Sequence, residues 1–438
     1  MTATIHHGDC LDVLRELPSN SIDAICCDPP YGLSNTTPEK VTDTIVRWAQ
    51  GDREHVPTGK GFMGASWDAF VPPVAVWDEC LRVLKPGGHL VAFAGSRTQD
   101  LMGLSIRLAG FDIRENVAWL YGSGFPKSLD VSKAIDKAAG AEREVVGQAP
   151  NGVKGLDRMN LAHGKRGKLY HEGATYGVTA PATDEAKKWE GWGTALKPGH
   201  EPIILARKPL PGTVAANVQE HGTGALNIDA CRVATDDNTG RPCGKDLRGG
   251  NYGPNGSAKK SDLVTETHAQ GRFPANVLLD TDQAGVLDQQ SGNRPGAVSN
   301  GSKTQGGMNG TSTFKIRARE QKPGYADQGG ASRFFHTVDP TEDLDARFLY
   351  SAKAPKKERP VVDGIAHPTV KPVALMRWLV RLTTQPGGTV LDPFAGSGTT
   401  VEAALNEGFN VIGIEREAEY LPLIQQRIDR ANEKLPDA

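Results

Sequence analysis

What most limits the folds open to this chain is the placement of its strand–helix alternation, which occupies both ends and hardly touches the middle. Near the N-terminus, Leu11, Val13, Leu14 and Leu17 recur at helical spacing after Asp9, a candidate N-cap. Ser21 to Cys27 reads as a short apolar strand that stops at Asp28-Pro29-Pro30-Tyr31. A helix is expected from Pro73 through Trp77, Leu81 and Leu84, closed by Gly87 and Gly88. His89–Ala94 and Val117–Tyr121 read as buried strands. Toward the other end, Thr389–Asp392 is a strand and Pro393–Gly398 a tight glycine loop. A helix through Val401 and Leu405, a strand at Val411–Ile414 and a closing helix to about Asn432 follow. Such alternation predicts an α/β fold built on a parallel, doubly wound sheet.

Between the ends the chain changes character. Residues 129–360 hold 32 Lys+Arg against 27 Asp+Glu, a balance of +5, while the remaining residues carry −7 of the net −2. Gly, Asn, Ser and Thr dominate stretches such as 249–256 and 301–313. Only 190–208, with Ile203, Ile204 and Leu205, predicts a core strand returning to the sheet. The expected organisation is therefore a sheet domain split into 1–128 and 361–438 by a loop-rich insert, 129–360. A partly disordered surface insertion is the alternative reading of that composition. Six cysteines without a C-x-x-C pair make neither a disulfide framework nor a zinc site, so no metal is expected. A reduced, cytoplasmic protein is the expectation. No apolar run approaches the ~20 residues of a membrane span, so no membrane partner is expected either.

Two motifs carry chemistry. In Asp28-Pro29-Pro30-Tyr31 the prolines fix φ and remove two backbone donors, leaving carbonyls beside one carboxylate and one aromatic ring. That set suits a flat heterocycle bearing an NH₂ group: the carboxylate and a proline carbonyl each accept an N–H, and the ring stacks. An ordinary turn after a strand is the competing reading. The second motif, Asp392-Pro393-Phe394-Ala395-Gly396-Ser397-Gly398-Thr399-Thr400, lies between strand and helix, where glycines let a ligand approach a helix N-terminus. Val401 stands where a dinucleotide fingerprint needs its third glycine, and no Gly-Lys-Ser/Thr follows. Glu415, closing the next strand, is placed to reach ribose hydroxyls. A nucleoside ligand without a diphosphate is favoured over a nicotinamide dinucleotide.

Together these motifs resemble the DNA amino-methyltransferases that use S-adenosyl-L-methionine, in which Asp-Pro-Pro-Tyr is catalytic and Asp-Pro-Phe-x-Gly-Ser-Gly-Thr holds the cofactor. His367-Pro368-Thr369-Val370-Lys371-Pro372, Gly8-Asp9-Cys10 and Val83-Leu84-Lys85-Pro86-Gly87-Gly88 match further segments of that family. Catalytic motif first, insert, then cofactor loop is the family's permuted beta-group order. The resemblance spans about 1–128, 190–208 and 345–432, and it implies a Rossmann-like, circularly permuted sheet.

The resemblance also implies roles. Asp28 and the carbonyls of Pro29 and Pro30 hold the target amine, and Tyr31 stacks on the flipped base. Phe394 packs near the cofactor adenine, with Pro393, Ala395, Gly396, Ser397, Gly398 and Thr399 forming its loop. Asp9, followed by Cys10, approaches the adenine amine, and Glu415 binds the ribose. Asp392, Thr369 and Lys371 belong near the methionine end. The implied substrate is double-stranded DNA, methylated at a specific site on the N6 of adenine. N4-cytosine is the runner-up, and a catalytically inactive DNA-binding relative is a more distant rival. A homodimer and a cognate restriction nuclease are partners that the family admits. Phosphate contacts are expected from Lys165, Arg166 and Lys168 beside Tyr170, from Lys259 and Lys260, and from Lys315, Arg317 and Arg319. Phe62 to Asp68 is expected to be either a lid or a loop anchored by Trp67.

Overall fold

The computed structural model describes residues 1–34, 36–59, 66–121, 128–150, 175–233, 271–295, 328–338, 354 and 358–433. Among them, nine strands form one sheet: β1 (Ala3–His7), β2 (Ile22–Cys27), β3 (Leu84–Phe93), β4 (Asp112–Leu120), β5 (His200–Arg207), β6 (Val277–Asp280), β7 (His336–Val338), β8 (Thr389–Asp392) and β9 (Asn410–Glu415). Their spatial order is β1-β9-β8-β2-β3-β5-β4-β6-β7. The C-terminal strands β8 and β9 thus slot between β1 and β2, which brings the two ends of the chain into one sheet. Every pairing is parallel except those of β5, which runs antiparallel to both β3 and β4. The expected doubly wound α/β sheet is present and mostly parallel, with β5 running the other way. The insert gives the sheet more than 190–208, because β6 and β7 also come from it.

Helices cover both faces. On one lie α1 (Cys10–Glu16), α3 (Val74–Val83) and α4 (Gln99–Leu108), with α2 (Pro38–Gln50) outside them through buried Trp48. On the other lie α5 (Val373–Thr383), α6 (Thr399–Asn406) and α7 (Leu421–Glu433). The alternation of a strand drives this layering. In β2, Ile25 and Cys27 enter the core with Leu14, Trp77 and Met102, whereas Cys26 enters the core with Trp378, Leu379 and Val401. Asp9 starts α1 as read from sequence, its Oδ1 accepting the Leu11 N–H at 2.9 Å.

Gly87 and Gly88 do not close a helix. α3 ends at Val83 and the chain passes straight into β3, which bulges against β2: Ile22 pairs with Leu84 and Ala24 with His89. Gly87 has φ +77°, and a Cβ there would sit 2.5 Å from Nδ2 of Asn217. Close packing at a bulge, not helix termination, uses these glycines.

Candidate active site

In a parallel sheet, ligands gather at the carboxyl edge of the strands. Here that edge collects Asp9 just after β1, Asp28 just after β2, Asp392 at the end of β8 and Glu415 at the end of β9. Because β5 runs the other way, its start, His200–Glu201, lies on the same edge, with Glu201 opposite Trp119. A cleft of about 1350 Å³ opens along it. That exceeds the roughly 300–1,000 Å³ of a typical one-ligand pocket, leaving room for two molecules side by side.

One wall is the tetrad. Asp28 Oδ2 accepts from Lys371 Nζ at 2.5 Å, while Asp28 Oδ1 is buried and, among the described residues, receives no hydrogen bond. The Tyr31 hydroxyl, close to Asp28 and Glu201, donates to Glu201 Oε2 at 3.1 Å. Lys371 Nζ is 3.4 Å from the same oxygen and 5.3 Å from the centre of the Tyr31 ring. Burial works against the charge on Lys371, but Asp28 and Glu201 outweigh it and hold its pKa above the ordinary lysine value. Burial, reinforced by Asp28 and Glu201, pushes the Tyr31 hydroxyl well up, so the ring stays neutral. The backbone after the tetrad is clamped by Asp68, whose Oδ1 accepts the N–H groups of Tyr31 at 2.8 Å and Gly32 at 3.0 Å. Gly32, at φ +65°, has no room for a side chain: a Cβ would lie 2.7 Å from the Val71 nitrogen.

Beside the tetrad, after the neighbouring strand β8, the lining is the glycine loop. Glu415 Oε2 accepts from Gly396 N at 2.7 Å and Oε1 from Glu417 N at 2.8 Å, so the carboxylate ties two loops together. Its pKa is raised, chiefly by burial. Gly396 (φ +52°) lies under His367, and a Cβ there would sit 3.1 Å from the His367 Nε2. His367 in turn packs edge-on against Tyr420, with ring centres 4.6 Å apart. Phe394 reaches Trp77 at 6.2 Å. Asp392 is 2% exposed, accepts from Phe394 N at 3.0 Å, and is raised by burial to about 7.

The cleft brings together every site residue expected from sequence except one: Asp9, Cys10, Asp28 to Tyr31, Thr369, Lys371, Asp392 to Ser397, Thr399 and Glu415 line it. Gly398 does not. At φ +80° it N-caps α6 and is pressed against Ile424, so it shapes the loop from behind. Lys371 sits on the tetrad carboxylate, its Nζ 2.5 Å from Asp28 Oδ2. Glu201, Asp68, His367 and Tyr121 were not among the expected residues; the His-Pro-Thr segment was the one signal for His367. Burial pushes the Cys10 thiol up to about 12, and Cys26, Cys27 and Cys80 well above the ordinary value, so these cysteines are inert thiols. Residues 62–65 of the candidate lid and the basic positions Lys165, Arg166, Lys168, Lys259, Lys260, Lys315, Arg317 and Arg319 lie outside the described residues. So does Tyr170. Among the described residues, no helix is long and apolar enough to cross a membrane.

The tetrad carboxylate and the glycine loop with its acidic partner Glu415 line one cleft. The N6/N4 DNA methylase family model matches residues 22–426. The chain belongs to this family. Over its length the chain is similar to the type II methyltransferase M.HindIII of Haemophilus influenzae, 21% identical over 443 residues that cover 95% of this chain and 92% of that protein. Higher identity is local. The DNA adenine methyltransferase YhdJ of Escherichia coli is 46% identical over 66 residues, a match covering 15% of this chain and only 22% of YhdJ. Among solved structures, the methylase is similar to the cytosine-N4-specific PvuII DNA methyltransferase, with a TM-score of 0.44 and 13% identity over 99% of this chain and 91% of that one.

Proposed function

We propose that this methylase transfers a methyl group from S-adenosyl-L-methionine to the exocyclic N6 of an adenine flipped out of double-stranded DNA, at a specific site. The observation that carries the reading is the Asp28 carboxylate, with one oxygen held by Lys371 and the other a buried acceptor without a donor among the described residues, in the cleft that also contains the Glu415-tied glycine loop. An orphaned buried acceptor costs about 1–3 kcal/mol, and an amine N–H of a bound base relieves that cost.

The cofactor, when bound, supplies a methyl group activated on a sulfonium. Glu415, Phe394, Asp9 and the Asp392–Thr399 loop would hold it. The amine is a weak nucleophile because its lone pair is delocalised into the ring. Asp28 and the Pro29 and Pro30 carbonyls, accepting its two hydrogens, localise that pair on nitrogen and aim it across the cleft. Asp28 forms no covalent bond, in keeping with inert thiols at Cys10, Cys26 and Cys27. The target atom is inaccessible inside a duplex, and flipping costs a few kcal/mol. Stacking on Tyr31 offsets about 1–3 kcal/mol of it. The aspartate that opens the tetrad favours adenine over cytosine in enzymes of this kind.

Incubating mixed-sequence DNA with methyl-labelled cofactor and analysing the nucleosides tests the reading. N6-methyladenine is expected. N4-methylcytosine would transfer the assignment to cytosine, and the absence of any methylated nucleoside would overturn it.

A further inference from the structure

Glu201 belongs to neither motif, yet it is the meeting point of the tetrad wall. Its Oε2 accepts from the Tyr31 hydroxyl at 3.1 Å and lies 3.4 Å from Lys371 Nζ, and the Tyr121 hydroxyl also reaches it. Its side chain is 17% exposed, and it is held in register on β5 opposite Trp119. The charges in this group do not cancel: one ammonium, Lys371, faces two carboxylates, Asp28 and Glu201. Without Glu201, Lys371 would form a one-to-one ion pair with Asp28 and neutralise it toward the cleft.

We propose that Glu201 is a positioning residue for methyl transfer, fixing the Tyr31 ring through its hydroxyl and sharing the Lys371 ammonium so that Asp28 keeps an uncompensated negative charge toward the target amine. This rests on the proposed function. As the amine nitrogen is methylated, its new N–C bond forms while the S–C bond to the methyl group breaks and the sulfonium becomes a neutral thioether. The nitrogen is positively charged until it releases a proton to solvent, and a buried cluster with one excess negative charge stabilises that charge where it develops. One carboxylate with four lone-pair directions serves the stacking ring and the ammonium together. The arrangement also gives the antiparallel direction of β5 a function: a parallel strand at this position would place its first residues at the far edge of the sheet.

The test is Glu201→Gln in the full-length protein, because glutamine keeps the volume and an acceptor for Tyr31 but removes the charge. With mixed-sequence DNA and labelled cofactor, kcat is expected to fall about tenfold to a hundredfold. Cofactor affinity by calorimetry and the melting temperature should stay at wild-type values. In a Tyr31→Phe background the same substitution should cost less than in the wild type, because part of its action passes through the missing hydroxyl. Wild-type kcat in Glu201→Gln overturns the inference. So does a fall in cofactor affinity or melting temperature that matches the loss of activity, or strict additivity with Tyr31→Phe. A wild-type protein that methylates nothing sinks the proposed function instead, so the two failures are distinguishable.

Discussion

Asp392 and Asp28 close adjacent parallel strands, but burial treats them differently. Asp392 is raised from 3.8 to about 7, mainly by burial, against the hydrogen bonds it accepts from Thr400 and the Phe394 N–H. A group whose folded pKa exceeds its unfolded one binds a proton that the unfolded chain releases, so its stabilisation is full below about 4 and is lost as pH rises through about 7. Asp392→Asn, which cannot ionise, should therefore gain in melting temperature relative to wild type as pH climbs from 4 to 7, then hold that gain. A pH-independent difference would show that Asp392 does not titrate in this window. Asp28 makes a different demand. Asp28→Asn should lower kcat by about a hundredfold or more with calorimetric cofactor affinity intact, since the residue faces the cleft and Lys371 rather than the glycine loop. Substantial remaining activity would remove Asp28 from the chemistry. Both aspartates were legible in the sequence because their surroundings are local: prolines, glycines and strand ends within a few positions. Glu201 was not, because its place depends on β5 pairing with β3 and β4, segments about 80 to 120 positions away in the chain. The apolar run Ile203–Leu205 showed the strand but not which of its residues reach the cleft.

The helices legible in the sequence are those with an apolar stripe and an end signal, such as α1 after Asp9 and α6 after the glycine loop. α2 and α4 went unread, and Gly87-Gly88 reads as a helix end because a bulge and a cap use glycine for the same backbone freedom. What holds the glycine-loop wall in place is equally hidden from local pattern. Glu402 on α6 is 1% exposed and pairs with Arg427 and Arg430 of α7, and the fully buried Arg427 also donates to the Glu358 carbonyl at 2.8 Å. The pair fastens α7 against the helix that the glycine loop starts. Glu402→Ala removes the carboxylate shared by both arginines and should cost about 3–5 kcal/mol in denaturant unfolding. Asp12→Ala, which breaks an exposed pair with Arg15, should cost under about 1 kcal/mol. Equal costs for the two would mean that the buried pair is not what anchors α7.

Three of the nine strands, β5, β6 and β7, come from residues 129–360, so this stretch cannot be a module hung on a finished sheet. Deleting it whole would remove β5 from between β3 and β4, take Glu201 from the cleft and unfold the protein. We propose that the segments between those strands read DNA, because 129–360 carries +5 and the rest −7. Phosphate contacts set affinity and salt dependence, whereas contacts to base edges set the sequence preference. Replacing Lys165, Arg166 and Lys168 with Ala should therefore weaken binding alike on all DNA sequences. It should also flatten the slope of log affinity against log salt by about 0.9 for each phosphate that is no longer neutralised. Cofactor binding should be untouched, because none of the three belongs to either of the two motifs. Exchanging 234–270 or 296–327 for the matching segment of a related methylase should move the methylated site, since these exchanges leave β5, β6 and β7 in place. A folded, active chimera of both segments that still methylates the original site would put specificity in the sheet's own loops and overturn this assignment.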